Sequence, residues 1–494
     1  MHKIFAVALN LHDHNTYDGV FHNQRERFTR FKHNLPYHAE AYDHQSDILN
    51  PGDYRLNDEF VKEYWKKKDD VLAFTYTYGG VRMCRDMLPQ DVFDYEPKKL
   101  WDHYFKDGIY FIDHHQSHAA YAFLNSGYEK SDILAIDGIG SKYRCVFFDK
   151  DENLIDLSDK LPIGWLWNHM SNLTGFGTLG ASKLMGKVGY GKYSEYYYNI
   201  FETILDGPIT EKKQKHFQHI KLDNIDDLAH TLQKFTIDKI KEFVYPLKSC
   251  DNLCIAGGVA YNGYMNEEFT KHYENVFVPP AVGDEGQAVG TYMHADCVIN
   301  NNIHKSETFA GIEYEHNVGE DADYKKIAQA IADGKIVGWF QGKSESGNRA
   351  LGNRSILADP RNPNIKDIIN HTIKMREDFR PFAPAVLEEH YKEYFDTRGG
   401  PSPYMSRICK VKTKLVPGIT HVDNTARIQT INRNDNEKFY NIVNEFYKIT
   451  GIPMLLNTSF NCQEPIVEAP HHALRTFRRT ALDLLVINDW IIRK

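Results

Sequence analysis

A chain of 494 residues exceeds one ordinary hydrophobic core, so roughly two to four domains are expected. Its 42% hydrophobic and 26% charged residues give a folded, globular composition, and no stretch reaches the roughly 18 apolar residues of a membrane span. A net charge of −8 weighs against holding long nucleic acid through the overall field, and seven scattered cysteines without a CxxC pair suggest neither a disulfide framework nor a cysteine zinc site.

A reduced, cytoplasmic setting is the default expectation. IFAVALNL (4–11) is an apolar run that ends at His12-Asp13 and reads as a first strand; it lacks the small-residue cleavage site of a signal peptide. GIYFID (108–113) is a second short apolar run, and HHQSHAAYAFLNSG continues it as a helix ending near Gly127. DILAID (132–137) reads as a buried strand followed by Gly138, and YRCVFF and NLIDLS flank the turn DKDEN as a hairpin. Ile225, Leu228, Leu232, Phe235, Ile240, Phe243 and Val244 fit one face of a long amphipathic helix. LCIA (253–256) is a strand that runs straight into GGVAYNG. This alternation predicts α/β architecture with ligands at the carboxyl ends of strands. The polar patch INNNIHKSE (299–307) interrupts it and divides the chain into 1–303 and 304–494. Beyond it, a helix over 321–333 and the strand KIVGWF (335–340) precede a dense run of Arg, Gly and Asn.

His114 and His118 are four apart at the start of a predicted helix, which puts both imidazoles on one face, as two-histidine metal sites require. Among 24 histidines such a pair also arises by chance, so the surroundings decide. Asp137 closes the strand DILAID, and Asp284 sits in a glycine-flanked strand-to-helix turn, PPAVGDEGQAVG. Two imidazoles and two carboxylates make an N/O donor set suited to iron, zinc or manganese. The plainer alternative is that both aspartates only cap turns or helices. The pieces LMGKVGYG (184–191), AGGVAYNG (256–263) and VGDEGQAVG (282–290) offer backbone amides to a phosphate or nucleotide.

In the second half, GKSESGNRALGNRSILADPR (342–361) carries Arg349 and Arg354, and IKMREDFRPFAP (373–384) adds Lys374, Arg376 and Arg380. Gly, Asn, Ser and Pro separate these cations where a solvated helix would interleave acids, which favours loops lining a polyanion pocket. Lys374 and Arg376, two apart, would share a face in a strand. HVDNTARIQT offers Arg427, and LLNTSFN places Asn457, Ser459 and Asn461 at alternate positions of a strand end. A structural salt-bridge lattice is the plainer alternative there.

Taken together, these pieces resemble the NodU/CmcH family of carbamoyltransferases over nearly the whole chain. QRERFTRFKH (24–33) resembles the family's EERFTRxKH element, DHHQSHAAYAF its HHxxHA motif, LAIDGIG its DG strand, SKLMGKVGYG its KLMGLAPYG loop and AGGVAYNG its AGGVALN element. RALGNRSILADPR, FRPFAPAVL, HVDNTARIQT and LLNTSFN are close to the family's wording. The chain departs from EFGPRALGNRS, with Ser346 and Asn348 in place of Phe and Pro, and from the HDSSA run after His12-Asp13.

The resemblance implies an α/β first domain of the actin/sugar-kinase (ASKHA) fold, similar to TsaD, and a YrdC-like α+β second domain. The second would form carbamoyl-adenylate from carbamoyl phosphate and ATP, with magnesium on the phosphates. The first would transfer the carbamoyl group to a hydroxyl beside a metal, usually iron. Carried onto this chain, His114, His118, Asp137 and Asp284 match the metal site. Gly257, Gly258 and Asn262 match the adenosine pocket, with Lys183, Gly186 and Gly283 as further nucleotide contacts. Lys374 and Arg376 match the KxR element and Ser459 with Asn461 the SxN element; Arg349, Arg354, Arg380, Arg427 and Asn457 complete the activation pocket, and His12 is the candidate base for the acceptor hydroxyl. A homodimer is left open. Two rivals are a tRNA threonylcarbamoyl enzyme, disfavoured by the acidic charge, and an ASKHA-type kinase or ATPase, which would need no RALGNRS or NTSFN constellation. A nucleotide-binding regulatory protein with a decayed site is a third, against which the polar clusters in both halves speak.

Overall fold

The computed structural model describes residues 2–9, 15–17, 19, 22–24, 71–76, 90–138, 140, 142–177, 179–207 and 222–494. His12 and nearly all of the 24–33 element lie outside the described residues.

The first half carries two sheets. In the first, β1 (Ile4–Leu9) pairs antiparallel with β2 (Asn15–Tyr17), which pairs with β3 (His22–Gln24). On the other side of β1 come β4 (Val71–Tyr76) and then β6 (Ile109–Phe111), both parallel, with β5 (Tyr104–Lys106) as an antiparallel edge. In the second sheet β7 (Asp132–Ile136), β8 (Cys145–Phe148) and β9 (Leu154–Asp156) form an antiparallel meander. There β10 (Asn252–Ala256) and β11 (Asn275–Phe277) extend the sheet in parallel from β7. Both sheets therefore repeat one plan: three antiparallel strands, then two parallel strands beside the first.

All five residues of β7 and four of the five of β10 are buried, as expected for parallel strands covered on both faces. Helix α1 (His114–Ser126) follows β6 after two residues, capped by the Asp113 side chain and ended by Gly127 in the left-handed region, φ 74°. Between β9 and β10 come α2 (Ile163–Leu173), α3 (Ala181–Met185), α4 (Glu195–Leu205) and α5 (Ile225–Phe243), the last close to the predicted amphipathic helix. Leu228, Leu232, Phe235 and Ile240 of α5 are fully buried in the core of the second sheet. Helix α6 (Gly263–Phe269) follows β10, and α7 (Gln287–Asn300) lies along α1 and β1.

The second half is built on one mixed ten-stranded sheet. Its centre is β13 (Val337–Phe340), β14 (Arg354–Ala358), β19 (Met454–Ser459), β15 (Ala383–Leu387) and β18 (Thr425–Ile431). One edge carries β20 (Leu484–Ile487), β21 (Trp490–Arg493) and β12 (Glu320–Asp321); the other carries β17 (Arg407–Val411) and β16 (Phe395–Asp396). Helices α8 (Tyr324–Ala332) and α9 (Glu437–Thr450) pack together and bury Ile327, Ile331, Phe439, Val443 and Phe446 in the core of this sheet.

The halves meet along α6 and β17. Asn266 Nδ2 donates to the Ser406 carbonyl at 2.7 Å, the Tyr264 hydroxyl donates to Asp423 at 2.6 Å, and Lys183 pairs with Glu377 at 3.0 Å. One local expectation is corrected. Lys374 and Arg376 do not lie on a strand: Asn370–Lys374 is a π-turn, and Met375 sits in the left-handed region at φ 46°. The turn aims the two cations at different partners.

Candidate functional site

A helix, a strand end and a helix-leading turn converge in the first half. His114 and His118 lie one turn apart on α1, Asp137 follows β7, and Asp284 opens the 3-10 turn before α7. One ligand-type atom from each lies within 4.8 Å of every other. His118 Nε2 is 3.1 Å from Asp137 Oδ2 and 3.4 Å from Asp284 Oδ1; His114 Nε2 is 3.4 Å from Asp284 Oδ1 and 3.6 Å from Asp137 Oδ2. Ligands at about 2.1 Å from a tetrahedral ion stand about 3.4 Å apart, so the spacing suits a divalent cation.

Hydrogen bonding tests the fit. Both ring nitrogens of His114 are buried and make no hydrogen bond, and His118 Nδ1 makes none either. Such orphans are costly in a dry interior unless something engages them. An ion between the rings would engage the Nε2 atoms. Burial pushes the His114 imidazole below its usual value. Burial opposes charge on His118 too, but the carboxylates of Asp137 and Asp284 outweigh it and push that imidazole up to about 9. Burial likewise disfavours ionised Asp137, yet its contacts to both histidines hold the carboxyl well below the usual range. The two carboxyl groups and the two imidazoles thus form one electrostatically linked cluster. A divalent cation bound there would compete with protons for the imidazole nitrogens.

The backbone fixes Asp137. Its Oδ1 accepts from the Gly138 amide at 2.6 Å and its Oδ2 from the Gly258 amide at 3.2 Å. Gly257 makes this approach possible: at φ 90°, a Cβ there would overlap the Ile136 carbonyl oxygen. The predicted nucleotide residues Gly257 and Gly258 therefore press against the ion cluster. Asn262 is buried, caps α6 through the Met265 amide and donates to Gln233 at 2.9 Å. Lys183 is engaged by Glu377, and Gly186 packs against the Phe379 ring. Gly283 directly precedes Asp284.

The second polar centre lies in the ten-stranded sheet. Buried Lys374 donates to Asn461 Oδ1 at 2.6 Å, to Ser459 Oγ at 3.1 Å and to the Ser459 carbonyl, and Ser459 Oγ donates to Asn461 Oδ1 at 2.8 Å. Arg376 turns away to Asn370 Oδ1 at 2.7 Å and lies over the Phe382 ring; burial and neighbouring Arg380 pull its guanidinium down to about 9. Arg380 is held near Glu377 at 3.7 Å. Arg349 lies over the Tyr261 ring of the first half at 4.9 Å, and its Nε is buried without a hydrogen bond. Burial and the like charge of Arg349 pull Arg427 down to about 9. Arg354 and Asn457 are different: the Arg354 guanidinium donates to the Gln341 and Gly342 carbonyls at 2.6 and 3.0 Å, and Asn457 donates to the Ala350 carbonyl and to Gln429.

Several residues that the sequence did not single out belong to this constellation. Glu285 accepts from the Tyr261 hydroxyl and from the Gly283 amide. Glu345 Oε1 takes the Leu351 amide at 2.6 Å and stands 3.3 Å from the Asn353 and Arg354 amides, fixing the RALGNR loop. Asp423 binds Tyr264 and Thr425. Glu345 and Asp423 lie inside matched motifs, ESGNRALGNRS and HVDNTARIQT, and Glu285 lies beside Asp284, so each had a positional cue but no periodic one.

A family model described as carbamoyltransferase N-terminus matches residues 14–293, and one described as carbamoyltransferase C-terminus matches residues 328–494. The chain belongs to this carbamoyltransferase family, in its NodU/CmcH group, and is an enzyme of that class. It is 32% identical over 434 residues to nodulation protein NolO of Bradyrhizobium diazoefficiens, covering 78% of this chain and 79% of that protein. It is 34% identical over 221 residues to 3'-hydroxymethylcephem-O-carbamoyltransferase of Streptomyces clavuligerus, covering 42% of each. Among solved structures, full-length HypF in a phosphate- and nucleotide-bound form is similar over 36% of this chain and 23% of that one, at 22% identity and a TM-score of 0.26. Among the described residues no helix is long and apolar enough to cross a membrane.

Proposed function

We propose that this protein is an ATP-dependent O-carbamoyltransferase working in two steps, one in each half. The observation that carries the reading is the convergence of His114, His118, Asp137 and Asp284 within 4.8 Å in a chain that also holds a separate Lys374–Ser459–Asn461 centre. The repeated strand plan supports an ASKHA, TsaD-like domain over 1–303, and the mixed ten-stranded sheet supports a YrdC-like domain over 304–494. Six free cysteines among the described residues support a cytoplasmic setting.

In the second half, carbamoyl phosphate and water give carbamate and inorganic phosphate. The carbamate oxygen then attacks the α-phosphate of ATP, and pyrophosphate leaves. Lys374, Arg376 and Arg380, with Arg349 and Arg427 at the seam, offset the charge of two polyanions and align them. Ser459 and Asn461 hold the Lys374 ammonium in place for this. In the first half an acceptor hydroxyl attacks the carbamoyl carbonyl and AMP leaves. His114, His118, Asp137 and Asp284 would hold an iron, zinc or manganese ion there, which supplies Lewis-acid polarisation of the carbonyl or phosphate. The Gly138 and Gly258 amides keep Asp137 aimed inward. His12 is the candidate acceptor of the hydroxyl proton. The acceptor is a hydroxyl on a small molecule or a nucleotide.

The test supplies ATP and carbamoyl phosphate and measures AMP and pyrophosphate. Lys374→Ala abolishes both products; His114→Ala leaves them but stops carbamoylation of an acceptor. Release of ADP in place of AMP would convert the reading to a kinase or ATPase.

A further inference from the structure

We propose that Glu285 is a positioning residue for the ion-binding turn, and that Tyr261 and Asn348 make it a strut between the two halves; this rests on reading His114, His118, Asp137 and Asp284 as a metal site. Glu285 follows Asp284 directly and is 5% exposed. A carboxylate on a one-turn 3-10 segment ordinarily reaches solvent. This one folds back. Its Oε1 accepts from the Gly283 amide at 3.1 Å and from the Tyr261 hydroxyl, and its Oε2 lies 3.5 Å from Asn348 Nδ2. The side chain after the ligand thereby ties down the residue before it, leaving Asp284 little freedom to swing.

The turn is shaped for this. A Cβ on Gly283 would stand 2.7 Å from Glu285 Oε2, so a side chain at 283 would displace the carboxylate. Buried charge needs compensation. Arg349 supplies it from the second half, lying over the Tyr261 ring and interacting favourably with Glu285. The four groups that engage Glu285 thus come from the turn itself, from the element after β10, and from Asn348 and Arg349 at the start of the RALGNR loop.

The sequence carries a matching signature. Tyr261 stands where the AGGVALN element has Leu, and Asn348 stands where EFGPRALGNRS has Pro. Two departures, 87 positions apart by number, converge on one carboxylate.

Equilibrium dialysis against Zn(II) and Fe(II) with the full chain tests this, alongside far-UV circular dichroism and urea denaturation. Glu285→Ala and Tyr261→Phe should bind the ion about 10–100-fold more weakly, the usual cost of losing an outer partner of a metal ligand. Glu285→Gln, whose amide oxygen still accepts both hydrogen bonds, should stay within a few-fold of the parent. Far-UV circular dichroism and the urea midpoint, which read the whole chain, should match the parent in all three and certify their folding. If Glu285→Ala binds as tightly as the parent while His118→Ala does not bind, the positioning role is overturned and the metal site stands. If Glu285→Ala loses the parent's circular dichroism or urea midpoint as well, Glu285 is a general structural residue and the inference is again overturned. If the parent takes up neither ion, or His118→Ala binds as tightly as the parent, the metal reading itself fails.

Discussion

The Tyr264 hydroxyl, on the first half, donates to the Asp423 carboxylate of the second at 2.6 Å. Thr425 Oγ1 donates to the same carboxylate at 2.6 Å, and His421 lies 3.3 Å from it. Burial disfavours the charged form, but these three contacts outweigh it and lower the Asp423 carboxyl from 3.8 to about 2.

A depressed carboxyl stabilises the fold above its ordinary titration range, and that contribution drains away as the pH falls from about 4 toward about 2. Allowing for partial exposure, it is on the order of 1 kcal/mol. Asp423→Asn should therefore unfold at lower urea than the parent at pH 6, and the gap should close as the pH approaches 2. A gap that is constant with pH would mean that the carboxylate charge contributes nothing.

Gly257→Ala should cost roughly 2–4 kcal/mol, because the residue is held at positive φ and the new methyl meets the Ile136 carbonyl. Thermal unfolding reads this loss. Since Gly258 reaches Asp137 from the next position, the same variant should also bind the metal ion more weakly.

Arg354→Ala should be strongly destabilising, by roughly 3 kcal/mol or more, since it strips a buried donor from three carbonyls and the cation from the Phe340 ring. Urea denaturation checks it. The loss should be seen in folding before it is seen in catalysis.

Lys183→Ala should change stability by less than about 1 kcal/mol, as its partner Glu377 and the lysine itself are both part-exposed. The KM for ATP in AMP formation should be unaltered. A tenfold rise in that KM would mean that Lys183 reaches across the seam to the ATP site of the second half.

What could be read from the sequence follows the range of each signal. The His114–His118 pair is a helix-period pattern, and Asp137 and Asp284 mark strand ends beside glycines, so local reasoning reaches all four. The Lys374–Ser459–Asn461 meeting came through motif resemblance, because those segments lie 85 and 87 positions apart. Local spacing was of little help in one place: the shared face that Lys374 and Arg376 would have in a strand is absent, because a π-turn and a left-handed Met375 separate them. Residue type alone did not foretell local partners: Arg354 and Asn457 have the chemistry of a phosphate pocket and also hydrogen-bond to backbone carbonyls. The Tyr261–Glu285 and Tyr264–Asp423 bonds carry no periodic trace, since each joins segments whose proximity exists only after folding.

The four clustered side chains are drawn from a helix behind one sheet, the tip of a strand in the other, and the turn that leads into α7. A cation seated among them would act as a rivet through separately folded layers. Loading it should raise the melting temperature of the first half in proportion to the logarithm of free metal concentration, and stripping it with a chelator should loosen both sheets together.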